Sequence, residues 1–241
     1  MHFSGKEMTL YMTREDLPED LRSYLDDDRD PYVFRHPFYT SIYPMPLPMK
    51  IEDLLAHKES QFLLEFEAPE SKDISFVHVS RPFRMDKLIE CQKLGLFKSP
   101  RQYWEAVRDV WVDSETNESA PIWRAVLEAN MPDRQKYIMS AEEQEEFSAL
   151  PDVIEIYRGV QGGTKAEAED FVFKGFSWSL SYKTAAFFAN RFLSDGDEAY
   201  VAKARVRKEN IIALFMQRGE EEVVVDFRDP SIFEDLEMFE V

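Results

Sequence analysis

The chain has 241 residues, 44% of them hydrophobic and 14% aromatic, the make-up of a chain that folds around a core rather than one that stays disordered. Its 47 acids against 29 bases leave a net charge of −18, which opposes general attraction to nucleic acid or to an anionic membrane, because both rest on Lys and Arg. A single cysteine excludes an internal disulfide framework and fits a reducing compartment.

The opening "MHFSGKEMTLYMTRED" has no apolar stretch of signal length, and no later segment approaches the ~18 consecutive apolar residues of a membrane span. A soluble, cytoplasmic chain with no membrane partner is expected. Residues 17–50 mix aromatics with Pro37, Pro44, Pro46 and Pro48, which predicts extended segments and turns. "IEDLLAHKES" (51–60) predicts a short helix, and "ISFVHVS" (74–80) alternates as a strand does. From 86 to about 148 the signal is helical. Cys91 falls at a core position of "DKLIECQKLGLF", and Ser99 before Pro100 marks a helix start with Tyr103, Val107 and Val110 or Trp111 on one face. "APIWRAVLEANM" and "SAEEQEEFSAL" continue the pattern, the run from Glu142 to Glu146 reading as a solvated face.

After Pro151 strands are expected at 153–159 and 175–181. A helix follows, capped by Ser181, with Ala185, Phe188, Ala189 and Phe192 on its buried stripe and Gly196 near its exit. "AYVAKARV", "NIIALF" and "EEVVVDF" read as three further strands. "KARVRK" (203–208) is either a basic patch or a strand with an outward basic face. The texture is that of an α+β protein, a mainly helical lobe over residues 1–148 followed by a sheet lobe over 149–241, with no flexible linker and so one compact unit.

Three polar clusters sit on the predicted strands of the second half. Tyr157-Arg158-Gly159 ends a strand with a planar guanidinium suited to a pyrophosphate, beside a glycine that permits close approach of a flat ligand. Ser177-Trp178-Ser179 puts two hydroxyls on one strand face. Glu220-Glu221-Glu222 precedes Val223, Val224 and Val225, and strand alternation would put Glu220 and Glu222 on one face with Glu221 turned away. Taken singly, each has an ordinary explanation as an ion pair, an exposed face or a solvated acid run.

Together, "IYRG", "GFSWSLSYKTAAFFANRF" and "RGEEEVVVD" resemble the Arg–Ser–Glu class of mono-ADP-ribosyltransferases of bacterial and phage type, across roughly residues 150–230. Ser-Trp-Ser stands where many relatives have Ser-Thr-Ser. The resemblance implies an ADP-ribosyltransferase-like fold of split antiparallel or mixed sheets, with NAD as substrate and no metal. It implies Glu222 as the carboxylate under the ribose, Ser177 as the hydroxyl that orients it, with Ser179 as the alternative, and Arg158 as a phosphate clamp. Gly159 and Tyr157 would complete the NAD site, and Phe187 or Phe188 would either stack on nicotinamide or belong to the core. Glu220 implies arginine on a protein as acceptor, with an RNA or DNA base as second choice. The class includes toxins and effectors, which suits a phage or anti-phage setting and a neutralising antitoxin-type partner. NAD hydrolysis alone would use the same site. Rival expectations are a diphtheria-toxin-like site built on His78, or on His36 with Tyr39, and a non-enzymatic acidic interaction protein. Nicotinamide release from NAD separates the enzyme from the binder.

Overall fold

The computed structural model describes residues 9–11, 14–26, 32–43, 45–47, 50–67, 74–113, 120–191, 193–226 and 229–241. It is a mixed α/β structure whose strand pairs among the described residues are antiparallel, and it divides into two compact units, Met1–Thr116 and Asn117–Val241.

In the first unit the proline-rich opening forms short strands. β1 (Thr9–Tyr11) pairs with β5 (Met45–Leu47), and β2 (Leu25–Asp26), β3 (Tyr32–His36) and β4 (Tyr39–Tyr43) make a three-stranded sheet in that order. Three helices follow, α1 (Ile51–Glu67), α2 (Arg84–Lys93) and α3 (Pro100–Asp113), so this region carries two small sheets besides the helices expected of it. α3 begins at the predicted signal. Ser99 Oγ accepts the Gln102 N–H at 3.3 Å, Pro100 takes the first position where its missing donor is harmless, and Tyr103, Val107 and Val110 are buried. The core is aromatic: Phe62 packs against Phe38, Phe66 and Phe76 with ring centroids 5.7, 5.5 and 5.3 Å apart. Cys91 is buried there, and burial pushes its thiol up to about 12, which suits a core residue and not a nucleophile. Residues 74–80 form no strand. The Val79 N–H donates to Phe76 O in a turn, so the alternation of buried Ile74 and Phe76 with exposed Val77 reflects a loop pressed on the core, with no strand paired to it among the described residues.

The second unit holds α4 (Ala120–Leu127), α5 (Arg134–Ile138) and α6 (Ala141–Ala149), then β6 (Val153–Gly162), α7 (Lys165–Val172), β7 (Ser177–Ser179), α8 (Tyr182–Arg191), β8 (Glu198–Arg207), β9 (Ile211–Phe215), β10 (Glu222–Val225) and β11 (Glu234–Glu240). The six strands form one antiparallel sheet in the order β11-β8-β6-β7-β10-β9. The chain therefore divides near residue 116, where the sequence suggested 148, and two of the helices that precede the sheet explain why they belong to it. They cover its β9 edge: Gln135 Nε2 donates to Ile211 O at 3.1 Å, the Leu214 N–H points at Met139 Sδ at 3.2 Å, and the Met216 N–H donates to Glu143 Oε1 at 3.1 Å. An edge strand with its polar groups occupied cannot recruit another chain. Glu143 also closes a capping box with Ser140 at the start of α6 and is only 2% exposed, so the acid run is not wholly solvated as its composition suggested.

The basic stretch 203–208 lies mostly on β8 and is tied to acids on both neighbouring strands: Lys203 Nζ sits 2.7 Å from Glu155, and Arg205 Nη1 2.9 Å from Asp235. It is a strand with an outward basic face, paired with acids on β6 and β11.

Candidate active site

β6 pairs with β8 along its whole length, from Val153 opposite Arg207 to Gly162 opposite Glu198, whereas it meets β7 at a single position, Tyr157 opposite Ser179. Beyond that position the sheet opens between β6 and β7. On its other side β7 is fully paired, with Ser179 opposite Glu222 and Ser177 opposite Val224. Directly opposed residues share a face, so Tyr157, Ser179 and Glu222 form one row across three strands, at the point where the sheet opens. The Val225 N–H donates to Phe176 O and the Leu180 N–H to Glu221 O, so alternation turns the backbone groups of Ser177 and Ser179 toward β6.

Arg158 fills part of that opening. Its Nη1 donates to the Ser177 carbonyl at 2.5 Å, supplying a bond that no strand provides there. The guanidinium lies against the backbone of Gly175, where an added Cβ would come within 2.5 Å of Nη2. Its Nε is buried without an acceptor among the described residues. Burial pulls the guanidinium down to about 10 from its ordinary value, opposed by the negative charge of Glu222. The negative charge of Glu222 thus acts on a guanidinium whose Nε donor has no acceptor among the described residues.

The acid cluster is a turn, and only its last member is in a strand. β10 begins at Glu222; Glu220 has helical dihedrals, and Glu221 is left-handed at φ 48°. A left-handed conformation in a residue with a Cβ is a local strain, held here by the hydrogen bonds around it. Ser179 Oγ donates to Glu220 O at 2.7 Å and accepts the Ser181 N–H at 3.0 Å, while Glu221 O accepts from Leu180. The alternation expected to align Glu220 with Glu222 does not operate, because alternation requires extended backbone at all three acids. Ser179 is buried and stands opposite Glu222, whereas Ser177 is exposed and stands opposite Val224, two positions along. Of the two hydroxyls, Ser179 is the one built into the acid turn. Behind the turn Val223, Val224 and Val225 are buried, and ~1.5–3 kcal/mol for each fully buried apolar side chain anchors the acids to the core.

Gly159 is occupied differently from what its neighbours suggest. An added Cβ would lie 2.2 Å from Ala185 O and 2.5 Å from Ala189 N, so the backbone that approaches it closely is that of α8. Tyr157 gives its hydroxyl to Glu155, which raises its pKa, and its ring meets Tyr182 edge-on at 5.7 Å. In α8, Ala185 and Ala189 are buried as predicted and Ser181 caps the helix through the Thr184 N–H, while Phe188 is half-buried and Phe187 is 58% exposed. The side chain of Phe192 lies outside the described residues. Two cavities, of about 520 and 330 Å³, lie elsewhere and include none of Arg158, Ser177, Ser179, Glu220 or Glu222.

The two histidines of the rival reading, His36 and His78, have structural partners. His36 Nδ1 accepts the Phe38 N–H at 3.2 Å and its ring stacks on Phe34; burial first, and then the charge of Lys87, lower its pKa. His78 Nε2 sits 3.0 Å from Glu65. Trp178 is buried against Phe233 on the opposite sheet face from the two serines, its indole N–H without an acceptor among the described residues. Two local signals escaped the sequence reading, the Thr164-x-x-Glu167 start of α7 and the Ser140-x-x-Glu143 start of α6. Comparison of the chain with protein-family models, with curated proteins and with solved structures gives no match.

Proposed function

We propose that the chain is a mono-ADP-ribosyltransferase that moves ADP-ribose from NAD to a macromolecular acceptor, with arginine on a protein as the acceptor. One observation carries the reading: the three strands bearing the Arg, Ser and Glu motifs, far apart in sequence, lie in consecutive places at the opening of a single sheet, with the Arg158 guanidinium bound to the Ser177 carbonyl there. The interpretation of that opening as the split sheet of this enzyme class belongs to the same proposal.

Breaking the nicotinamide–ribose bond sends its electron pair to nicotinamide and leaves positive charge on the ribose carbon. Glu222, half-buried at the start of β10, places a fixed carboxylate where such a cation is stabilised more than the neutral ground state. Arg158, partly desolvated and with an unused buried donor, suits a phosphate oxygen of NAD. Ser179 holds the acid turn, and Glu220 takes the proton as the acceptor nitrogen forms the new bond.

Incubation with NAD should release free nicotinamide, and labelled NAD in a cell lysate should mark protein and leave nucleic acid unlabelled. Glu220→Gln should keep hydrolysis and lose transfer. No nicotinamide release under any condition that keeps the protein folded overturns the proposal. Label in RNA or DNA instead of protein overturns the arginine assignment alone.

A further inference from the structure

The first unit carries a cavity of about 330 Å³ whose basic lining groups are Lys58, His78, Arg81 and Arg84. In a chain of net charge −18, no carboxylate among the described residues lines it. Arg84 is framework: it is buried, its Nε donates to Val79 O at 2.9 Å, and Nη1 pairs with Asp113. Arg81 Nη2 lies 3.2 Å from the same Asp113, and its side chain is half exposed. Outside the lining, Glu65 faces His78 and Lys87 faces Glu90, Asp113 pairs with both Arg81 and Arg84, and the charge of Asp109 also acts on Arg84. Lys58 adds a further positive charge whose contact is the ring of Tyr39, 5.3 Å from its centroid. Two hydroxyls line the same cavity, Thr40 Oγ1 and Ser80 Oγ, 3.1 Å apart.

A guanidinium fork, a mobile ammonium and paired hydroxyls around one concavity match the several oxygens of a phosphate, which accepts from all three kinds of donor at once. Tyr39 and the 71%-exposed Val77 add an aromatic and an apolar wall beside them. We propose that this cavity binds a small phosphate-bearing ligand, held by Lys58 and Arg81 with the Thr40 and Ser80 hydroxyls. The site uses none of the residues assigned to ADP-ribose transfer and stands or falls without that assignment.

Calorimetric titration of the full chain with inorganic pyrophosphate and, separately, with adenosine 5′-monophosphate tests it. Both should bind at low salt, and Lys58→Ala should weaken both about tenfold or more, the loss of one charge-assisted contact, with melting temperature unchanged. Arg81→Gln should weaken them similarly, and the loss caused by Lys58→Ala should persist in an Arg158→Lys background, where any binding of the probes at the proposed NAD site is itself weakened. Equal binding of the two probes assigns the pocket to phosphate alone, and tighter binding of the nucleotide adds the Tyr39 wall to the site. Absence of binding at millimolar probe, parent-like binding by a folded Lys58→Ala variant, or loss of binding only in Arg158→Lys would each overturn the proposal.

Discussion

Strand β6 has two unlike sides. Against β8 it is paired over its whole length and its inward residues Ile154, Ile156 and Val160 are buried; against β7 it holds one position and then parts. A fully paired strand has its backbone donors and acceptors satisfied by its neighbour, so nothing is left for a ligand. A parted one leaves polar groups to be satisfied by side chains, and here Arg158 does so for Ser177. The difference teaches that the same ten residues can satisfy the backbone of one neighbour fully and leave that of the other to side chains, where the proposed site stands.

The comparison breaks most sharply at Glu222. Glu222→Gln keeps the shape and the place on β10 while removing the charge. Nicotinamide release should fall by ~10²–10³-fold or more, as removal of a preorganised electrostatic group does, with melting temperature little changed. A rate near that of the parent would leave the open side without its proposed carboxylate. Next in size is Gly159→Ala on β6, which tests whether that glycine serves α8 or a ligand. Its Cβ meets backbone atoms that cannot swing aside, so unfolding in urea should show a loss of about 3 kcal/mol. Unchanged stability with weakened NAD binding would return Gly159 to the ligand site.

Ser179→Ala removes a buried hydroxyl that both donates to Glu220 and accepts from Ser181, and should cost about 1–2 kcal/mol in the same measurement. It should also slow nicotinamide release while Ser177→Ala does so less; the reverse order would shift the positioning role to Ser177. The smallest effect is expected on the closed side, where Glu155 bonds Lys203 and Tyr157 in the open. The hydrogen bond from Lys203, and then that from Tyr157, hold the Glu155 carboxyl below its ordinary value. Any stabilisation from it is thus present at neutral pH and lost as pH falls through that lowered value. Glu155→Gln at neutral pH should shift the melting temperature by no more than about 2 °C, since exposed pairs are weak and screened. A larger shift would mean that the closed side depends on that cluster.

Much of the site was legible residue by residue. Ser181 capping α8 and the valines of β10 follow from local rules, because capping, alternation and burial depend on near neighbours in sequence, whereas the arginine expected to end its strand stands sixth of the ten residues of β6. The acid turn was not. Alternation through Glu220, Glu221 and Glu222 assumes extended backbone, and the left-handed Glu221 is fixed by hydrogen bonds to Ser179 and Leu180 some forty residues earlier. The choice between Ser177 and Ser179 is likewise one of register with β10, which a one-strand pattern cannot report.

By itself the sequence determined β6, β7, α8, β8, β9 and β10 of the second half, the burial of Cys91 and the three polar clusters, since each rests on spacing within a dozen residues, while α7 and β11 went unread and the basic stretch 203–208 stayed open between patch and strand. The tertiary structure decided the rest: that α5 and α6 cover the β9 edge, that α8 and no ligand closes on Gly159, that Ser179 faces Glu222, and that the sheet parts where Arg158 stands. These are outcomes of which distant backbone groups find one another, and the pairing energy that selects them is shared across the whole sheet rather than written in any one segment.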